Sequence, residues 1–389
     1  MIADLASTGE QRKRLGVVCD LREENWPSMD LVAEKLLAHL HAEHANAIEP
    51  VRMCAAFRVR FGRIPLLAKR QTFNADRILN RLLDYPRFLE KQQRAAELFH
   101  VCDHSYANLV HRLPAHRTGV FCHDLDTFRS ILEPLKEPRP RWFREMARHI
   151  LSGMQKAAIV FYTTETVRAQ IERHGLIDPA RLVQARYGVS PEFSAAPTVD
   201  GPGVTELLQR ISDAPFVLHV GSCIPRKRVD VLLDVFAAVR GLRPELRLLQ
   251  IGGQWSAAQA QQLAQLGLEK FVVQVPRMTQ AEIAQLYRRS AVVLMPSEAE
   301  GFGLPVVEAL ACGAAVVASD IPVFREVGGS AAVLCPLADV ELWTEKVVAL
   351  LDGAAATPPL ANRLEWAAQF SWAEHTRRIV LAYQRLGSR

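Results

Sequence analysis

The sequence has no apolar run long enough to cross a membrane and no cysteine pair of the C-x-x-C type. Its longest apolar stretch, around Val306 to Ala318, is interrupted by Glu308 and is too short to span a bilayer. Residues 1–14 lack the apolar core of a secretory signal. The seven cysteines are scattered and odd in number, which argues against a disulfide framework and a structural zinc site. We therefore expect a cytoplasmic protein with reduced thiols.

A nicotinamide-binding fingerprint is also missing. A dehydrogenase with two nucleotide-fold domains would carry G-x-G-x-x-G after a strand, with an acidic residue about 20 positions further on, and no such string occurs. The sole Asp-x-Asp, Asp124 to Asp126, lies in the first half of the chain. The sequence therefore predicts no bound cofactor and no metal.

The length of the chain and the distribution of its charge are informative. Its 389 residues, 49% of them hydrophobic and 23% charged, suit a globular protein with two full cores. The net charge of +5 is uneven, because Arg52 to Arg94 contains eleven basic and only three acidic residues. In this stretch Arg77 and Arg81 flank an apolar helical face that includes Ile78 and Leu82.

Two interpretations of this basic stretch remain. It can be a solvated helix packed on its own domain, or it can bind an anionic membrane surface or a lipid-phosphate acceptor. Nucleic acid fits less well, because neither interleaved aromatic residues nor a reading motif accompanies the charge.

The most informative stretch runs from Pro296 to Asp320. An apolar strand, 291–295, leads into the loop Glu300-Gly301-Phe302-Gly303 and then into a helix that starts at Leu304 and Pro305. Gly313 ends this helix, and residues 314–318 form the next buried strand. The free N–H groups of such a helix start bind anions, and the glycines let a phosphate approach the backbone.

Two carboxylates flank this predicted phosphate site. Glu300 lies in the loop and Glu308 lies one turn into the helix. A carboxylate accepts hydrogen bonds from two hydroxyl groups, so the pair suits a sugar on one side and a ribose on the other.

The string E-G-F-G-L-P-x-x-E-A-x-A-x-G, followed by an apolar strand and Ser-Asp, resembles the donor-binding signature of glycosyltransferase family 4. The resemblance implies an α/β protein of the GT-B fold, with two Rossmann-like domains whose parallel sheets face each other across a cleft. It implies a retaining, metal-independent hexosyltransferase that uses a nucleoside-diphosphate sugar such as a UDP-, GDP- or ADP-hexose. The acceptor would be a glycan or a lipid-linked molecule, in the synthesis of cell-surface polysaccharide or glycolipid.

This resemblance also divides the chain. Residues 1–195 would form the acceptor-side domain, onto which the C-terminal helix 372–389 crosses back. Residues 204–371 would bind the donor. The intervening 196–203, rich in proline and glycine, has the composition of a linker.

The donor-binding residues follow from the resemblance. Glu308 would hold the ribose and Glu300 the sugar hydroxyls beside the anomeric carbon. Lys227 and Arg226 would stabilise the departing diphosphate together with the amides of Gly303 and Leu304. The remaining donor candidates are Gly221, Ser222, Arg277, Met278 and Phe302. Ser222 stands where the family has an arginine, and Arg226 could supply the missing charge.

Two histidines follow predicted strands of the first half. His104 comes after the strand 98–102, and His123 comes after the strand 118–122. Ligands of open α/β sheets bind beyond the carboxyl ends of the strands, so both side chains are candidates for the site. The sequence His123-Asp-Leu is similar to the family pattern, which implies that His123 helps to position both substrates and acts with Glu300 and Lys227 in catalysis. His104 is a candidate for acceptor binding.

Two other functions remain open. A sugar-nucleotide epimerase shares the fold and would turn over its substrate without an acceptor. A non-catalytic scaffold that binds nucleotide sugar would explain Ser222 and the absence of any glycine between Gly16 and Gly62, where many relatives have a glycine-rich turn. If the basic stretch binds lipid, the protein would lie on the inner face of the membrane.

Overall fold

A computed structural model describes residues 12–63, 69–353 and 357–387. Residues 64–68 of the basic stretch lie outside this description. The chain forms two compact units, one from residues 12–187 and 372–387 and the other from Gly188–Ser371. The segment 188–195, which the sequence analysis placed with the first domain, belongs to the second unit.

The first unit is built on a parallel sheet in which six strands are described, in the order β2-β1-β3-β4-β5-β6. All of its strand pairs are parallel, and Val18 of the first strand lies level with Val101 of the third. The strands are β1 Lys13–Val18, β2 Ile48–Met53, β3 Leu98–Val101, β4 Thr118–Cys122, β5 Ile159–Tyr162 and β6 Leu182–Gln184. Their apolar sequences fit a sheet that is covered on both faces.

Helices cover this sheet. They are α1 Pro27–Glu43, α2 Lys69–Leu79, α3 Tyr85–Gln92, α4 Arg129–Leu132, α5 Arg141–Lys156 and α6 Glu165–Arg173. The sequence predicts a helix over 31–41 with Ser28 as its N-cap, and this is wrong: α1 begins at Pro27, whose fixed φ suits the first helical position. The sequence also predicts a second strand over 51–59, which is placed too late, because β2 starts at Ile48 and stops at Met53, level with Val18 at the end of its partner β1.

The second unit contains another parallel sheet with six described strands, in the order β12-β11-β10-β7-β8-β9. The strands are β7 Phe216–Val220, β8 Arg247–Ile251, β9 Val272–Val275, β10 Val292–Met295, β11 Val316–Ser319 and β12 Val333–Cys335. The helices are α7 Pro202–Arg210, α8 Val229–Leu242, α9 Ala257–Gln265, α10 Gln280–Arg289, α11 Leu304–Ala311, α12 Pro322–Gly328, α13 Val340–Leu351 and α14 Leu360–Ala367.

Local sequence signals account for several of these helices. Thr279 followed three residues later by Glu282 predicts a capping box at the start of α10, and this is confirmed, since Glu282 N–H donates to Thr279 Oγ1 and Thr279 N–H donates to Glu282 Oε2. The segment with linker composition is tied to this helix. Gln285 Nε2 donates to Val199 O at 2.8 Å, and Arg288 Nη2 donates to Thr198 Oγ1 at 2.6 Å.

The last helix, α15 Trp372–Gly387, packs on the sheet of the first unit. Tyr383 is fully buried, and its hydroxyl donates to Phe99 O at 2.8 Å. The ring fits only because residue 119 is glycine: a Cβ atom there would lie 2.4 Å from the Tyr383 hydroxyl. Non-local packing therefore fixes the end of the chain.

The seven cysteines are free thiols. Cys54 and Cys223 are half-buried and the other five are buried.

Candidate active site

The predicted catalytic residues of the second unit follow two neighbouring strands. Lys227 comes after β7 and Glu300 comes after β10, and these strands pair directly although β8 and β9 separate them in sequence. From β7 the chain continues to β8 and β9 on one side and then returns to β10 on the other side of β7. The strand order therefore reverses at β7. Loops at the carboxyl ends of strands form a crevice at such a point, where ligands of open α/β sheets bind.

Three consecutive basic residues are held against the loop after β10. Arg226 O accepts from Glu298 N–H at 2.9 Å, and Arg226 Nη1 donates to Ala299 O at 3.0 Å. Arg228 adopts a left-handed conformation, with φ of 49°, and its guanidinium lies 3.5 Å from Glu298 Oε2. Glycine adopts this backbone conformation more readily than arginine, and the glycosyltransferase pattern that the sequence resembles has glycine at this position.

Lys227, Arg226 and Glu300 form a compact ionic cluster. Lys227 Nζ lies 2.5 Å from Glu300 Oε1, and Arg226 Nη1 lies 3.3 Å from Oε2. The Glu300 side chain is only 6% exposed. Burial acts to raise the pKa of Glu300, but the charges of Lys227 and Arg226 outweigh it and hold the pKa below its ordinary value. Glu300 is therefore a carboxylate that neutralises much of the positive charge at this point.

The start of α11 lies next to this cluster in sequence. Gly303 is its N-cap, with φ of 90°, and Pro305 lies in the first turn as predicted. A Cβ atom on residue 303 would lie 2.6 Å from Phe324 Cε1. Both the backbone conformation and the close approach require glycine at this position. The first amides of the helix, including that of Leu304, have no partners within the helix and can donate to an anion.

Glu308 faces the interior from α11 and is 8% exposed. Burial raises its pKa to about 8. It lies near the fully buried Tyr287, whose pKa is raised by burial and further by the charge of Glu308. The Tyr287 hydroxyl has no hydrogen-bond partner among the described residues. A carboxyl group that is costly to ionise can be stabilised in its charged form by ligand hydroxyl groups.

The other donor candidates lie around these elements. Phe302 is buried and packs edge-on against Phe370, with ring centroids 5.8 Å apart, so packing already explains this side chain. Gly221 and Ser222 form the turn after β7 and pack on the turn that follows β8. Arg277 and Met278 follow β9, which β8 separates from β7. Of the predicted set, Arg226, Lys227 and Glu300 are joined to one another by ion pairs.

His123 of the first unit is held from both sides. Its Nε2 lies 2.7 Å from Cys102 O, and its Nδ1 is bonded to the Tyr187 hydroxyl. Burial lowers its pKa to about 4, so the ring is neutral at physiological pH. We assign the tautomer in which Nε2–H donates to the carbonyl and Nδ1 accepts from Tyr187. Both nitrogens are occupied, so the predicted contact of His123 with substrates requires one of these bonds to open.

His104 is held differently. Its Nδ1 accepts from His123 N–H at 3.3 Å, and its Nε2 lies 3.6 Å from Asp124 Oδ1, too far for a hydrogen bond. The Asp103 carboxylate, 3.3 Å from Nδ1, accepts from the N–H and hydroxyl of Ser105 at 2.7 Å. Of the two histidines, His104 has the nitrogen that is available to a ligand.

Arg81, a candidate for contact with an acceptor or a membrane, is paired within the first unit. Its guanidinium donates twice to the buried Glu24 carboxylate, at 2.6 Å, and lies 4.0 Å from the centre of the Tyr106 ring. Arg81 and Arg77 line a small cavity whose other walls include Ser105 and Met146. Arg81 is thus a partly buried, paired cation at the wall of a cavity.

The sequence analysis missed three buried polar groups near these loops. His219 lies in β7 and Tyr287 in α10, where apolar surroundings suggest ordinary core positions. Asp20 follows β1 and is level with Asp103 after β3. Burial and then Asp103 raise the pKa of Asp20 well above its usual range. The sequence signal that could have identified Asp20 is a polar residue at the end of an apolar strand.

The described residues contain no group of three or more histidine, cysteine, aspartate or glutamate side chains arranged to hold a metal ion. No helix in this part of the chain has the length and hydropathy of a membrane span.

Residues 208–369, all within the second unit, match the family model described as glycosyl transferases group 1. The sequence is 26% identical to O-antigen chain mannosyltransferase B of Escherichia coli over 78% of this chain and 80% of that protein. It is 34% identical to D-inositol 3-phosphate glycosyltransferase of Mycolicibacterium smegmatis, over 45% of this chain. The chain spans 41% of the length of that second relative.

Solved structures resemble the whole chain. Sucrose-phosphate synthase of Thermosynechococcus elongatus aligns with a TM-score of 0.74 and 17% identity, over 97% of this chain and 100% of that one. The chain has a GT-B fold. HepE of Anabaena, in complex with UDP and glucose, aligns with a TM-score of 0.72 and 16% identity, over 97% of this chain and 100% of that one. The GT-B fold and the glycosyltransferase relatives together support a glycosyltransferase.

Proposed function

We propose that this GT-B protein is a retaining glycosyltransferase of family 4. It moves a hexosyl group from a nucleoside-diphosphate sugar to a glycan or lipid-linked acceptor, in the synthesis of cell-surface polysaccharide or glycolipid. The observation that carries the proposal is the cluster of Lys227, Arg226 and Glu300 at the point where the strand order of the second sheet reverses. The relatives that act in O-antigen and inositol phosphate chemistry support the substrate class.

In the proposed reaction the bond between the anomeric carbon and the diphosphate oxygen breaks. The acceptor oxygen bonds to the same face of that carbon, and its proton passes to the departing diphosphate. Lys227 and Arg226 stabilise the negative charge that builds up on the diphosphate, together with the amides at the start of α11. These cations and amides supply the stabilisation that a metal ion gives elsewhere, so the proposed reaction needs no metal or other cofactor.

The two glutamates have separate roles in this proposal. Glu300 accepts hydrogen bonds from sugar hydroxyls near the anomeric carbon. Glu308 accepts from the ribose hydroxyls, which stabilises the charged form of a carboxyl group whose pKa is raised by burial. His104, with its available nitrogen, binds the acceptor, and His123 orients it through the backbone of Cys102 and the amide that it donates to His104.

A thermal shift experiment tests the donor site. Wild type, Glu308→Ala and the control Glu269→Ala, an exposed residue between α9 and β9, are melted with UDP-, GDP- and ADP-hexoses. A bound donor stabilises the folded protein by about 2.7 kcal/mol at a hundred times its Kd. We expect one nucleotide class to raise the Tm of wild type and the control, and this rise to be lost in Glu308→Ala. If no donor shifts the wild type, the transferase proposal fails and a scaffold function is favoured.

The basic stretch also supports a peripheral position on an anionic membrane. Arg87 is exposed, and the Leu82 and Leu83 side chains beside it are 37% and 39% exposed. Basic side chains near an acidic bilayer each contribute about 1 kcal/mol. Flotation with phosphatidylcholine vesicles, with and without phosphatidylglycerol, tests this surface. We expect binding only to the anionic vesicles, on the order of tenfold weaker for Arg87→Glu and unchanged for Arg210→Glu, an exposed residue of α7. Equal binding to both vesicles would refute the membrane proposal.

A further inference from the structure

The imidazole of His219 is completely buried in β7, and neither ring nitrogen has a hydrogen-bond partner within the described residues. A buried polar atom without a partner costs about 1–3 kcal/mol. An aromatic or aliphatic residue would fill this core position without that cost. The histidine therefore needs an explanation beyond packing.

The ring lies directly beneath the turn that leads to Lys227. A Cβ atom on Gly221 would be 3.2 Å from His219 Cε1, 3.4 Å from Nε2 and 3.8 Å from Lys227 Cδ. The imidazole edge and the lysine stem therefore border the same space, which a side chain at residue 221 would fill. Gly221 is itself fixed, because its N–H donates to Ile251 O at 2.8 Å.

Both members of the ion pair influence the ring. Burial, and after it the charge of Lys227, lower the pKa of His219 to about 3, while Glu300 acts in the opposite direction. The imidazole is therefore neutral under physiological conditions, with one nitrogen that donates and one that accepts. A neutral ring of this kind can bond to an ammonium group and to a carboxylate at the same time.

The ion pair must rearrange when an anion binds. The ammonium group of Lys227 has three donors, and one of them is directed at Glu300 Oε1. A diphosphate attracts this ammonium group, and separating a buried ion pair costs several kcal/mol unless other groups take over the bonds. His219 interacts electrostatically with both charges, its ring lies beside the same position at Gly221 as the Lys227 stem, and its nitrogens have no partner among the described residues.

We propose that His219 is a positioning residue that bridges Lys227 and Glu300 when the donor diphosphate draws them apart. Its acceptor nitrogen receives an N–H of Lys227, and its N–H donates to the Glu300 carboxylate. The lysine is then held by the phosphate and the imidazole, in one orientation. This inference rests on the proposed function, since it requires a diphosphate at the Lys227 cluster.

Binding of inorganic pyrophosphate, UDP and GDP tests the bridge, measured by calorimetry on the full chain. His219→Phe keeps the volume of the ring but cannot form hydrogen bonds, whereas His219→Gln keeps one donor and one acceptor. We expect an affinity at least tenfold lower for His219→Phe and within threefold of wild type for His219→Gln. The control is Ser319→Ala in the same sheet. It removes a buried hydroxyl group that also has no partner among the described residues, and it should bind as wild type does.

The thermal stability of each variant separates binding from folding. His219→Phe removes two buried nitrogens without partners, so its Tm should equal or exceed that of wild type. If this variant does not fold, ¹⁵N resonances of the wild-type ring provide a second measurement, since pyrophosphate should shift them by forming new hydrogen bonds. Unshifted resonances in the pyrophosphate complex would refute the bridge.

The outcomes distinguish the two proposals. If wild type binds a diphosphate and His219→Phe binds it equally well, the bridge is refuted and the transferase proposal stands. If His219→Gln is as impaired as His219→Phe, the ring acts through its shape and the bridge is again refuted. If wild type binds none of the three ligands, both proposals fail.

Discussion

The carboxyl group of Glu308 should make the stability of this protein depend on pH in a predictable way. Burial raises its pKa to about 8, against an ordinary value of 4.5. Between these two values the folded state retains a proton that the unfolded state has lost. The free energy of unfolding therefore falls as the pH rises, at about 1.4 kcal/mol per pH unit for this one group. This contribution is fully present below the ordinary pKa and is lost as the pH rises through the folded value.

Replacing Glu308 by glutamine isolates the effect. Glutamine has nearly the same shape as the protonated acid and does not titrate. A shift of the pKa from 4.5 to about 8 corresponds to roughly 3–5 kcal/mol. At about pH 5 the variant and wild type should have similar unfolding free energies. At about pH 8 the variant should be more stable by several kcal/mol.

Guanidinium unfolding at a series of pH values measures this difference. Because other groups titrate equally in both proteins, only the difference between wild type and variant is interpreted. Glu269→Gln, at an exposed position, serves as the control and should follow wild type throughout. A difference that stays constant from about pH 5 to pH 8 would refute the raised pKa of Glu308.

The same group links donor binding to proton release. If ribose hydroxyls donate to the Glu308 carboxylate, they favour its charged form and lower its pKa. Below about pH 8 the donor should then release close to one proton on binding. Calorimetry in buffers with different ionisation enthalpies measures that proton. Its absence in wild type would mean that the donor does not contact the ionised Glu308.

Two further predictions concern the loop between β10 and α11. Glu300→Gln removes the carboxylate that Lys227 and Arg226 share. It should lower the unfolding free energy by about 3 kcal/mol, because the buried Lys227 loses its charged partner. Unchanged stability in denaturant unfolding would contradict this pairing. Gly303→Ala combines a φ of 90° with a contact of 2.6 Å to Phe324, and should cost about 2–4 kcal/mol. Gly353→Ala, at a φ of 70° but in open space, is the matched control and should cost about 1 kcal/mol in the same assay. Equal losses would show that the contact with Phe324 is relieved.

The fold was predictable because its signals are local. Apolar strands such as Thr118–Cys122 have the composition of buried parallel strands, and Thr279 with Glu282 predicts a helix start without any tertiary information. The errors in the predicted strand bounds lie where a neighbouring strand determines the end of a strand. The second strand ends at Met53 because its neighbour β1 ends at Val18, and nothing in the residues after Met53 indicates this.

The candidate site was predictable to the extent that a motif encodes it. The loop Glu300–Gly303 and the basic turn before α8 are each a short continuous segment of sequence, so the residue types within each segment indicate a phosphate site. The pairing of Lys227 with Glu300 spans 73 positions and depends on which strands are neighbours. The unpaired nitrogens of His219 and the occupied nitrogens of His123 are also consequences of packing, which residue types alone do not specify.

The ionic cluster bears on the question that Ser222 raises. The glycosyltransferase pattern that the sequence resembles has an arginine at this position, and without it Lys227 would face a diphosphate as a lone cation. Arg226 is part of a short turn, Pro225–Lys227, and its guanidinium reaches the same carboxylate as the ammonium of Lys227, with 26% of the side chain exposed. One carboxylate between two cations leaves a net positive charge where the proposed diphosphate binds. Arg226 thus supplies the second cation that an arginine at position 222 would have given. This supports a functional site and argues against a scaffold that has lost its catalytic charges.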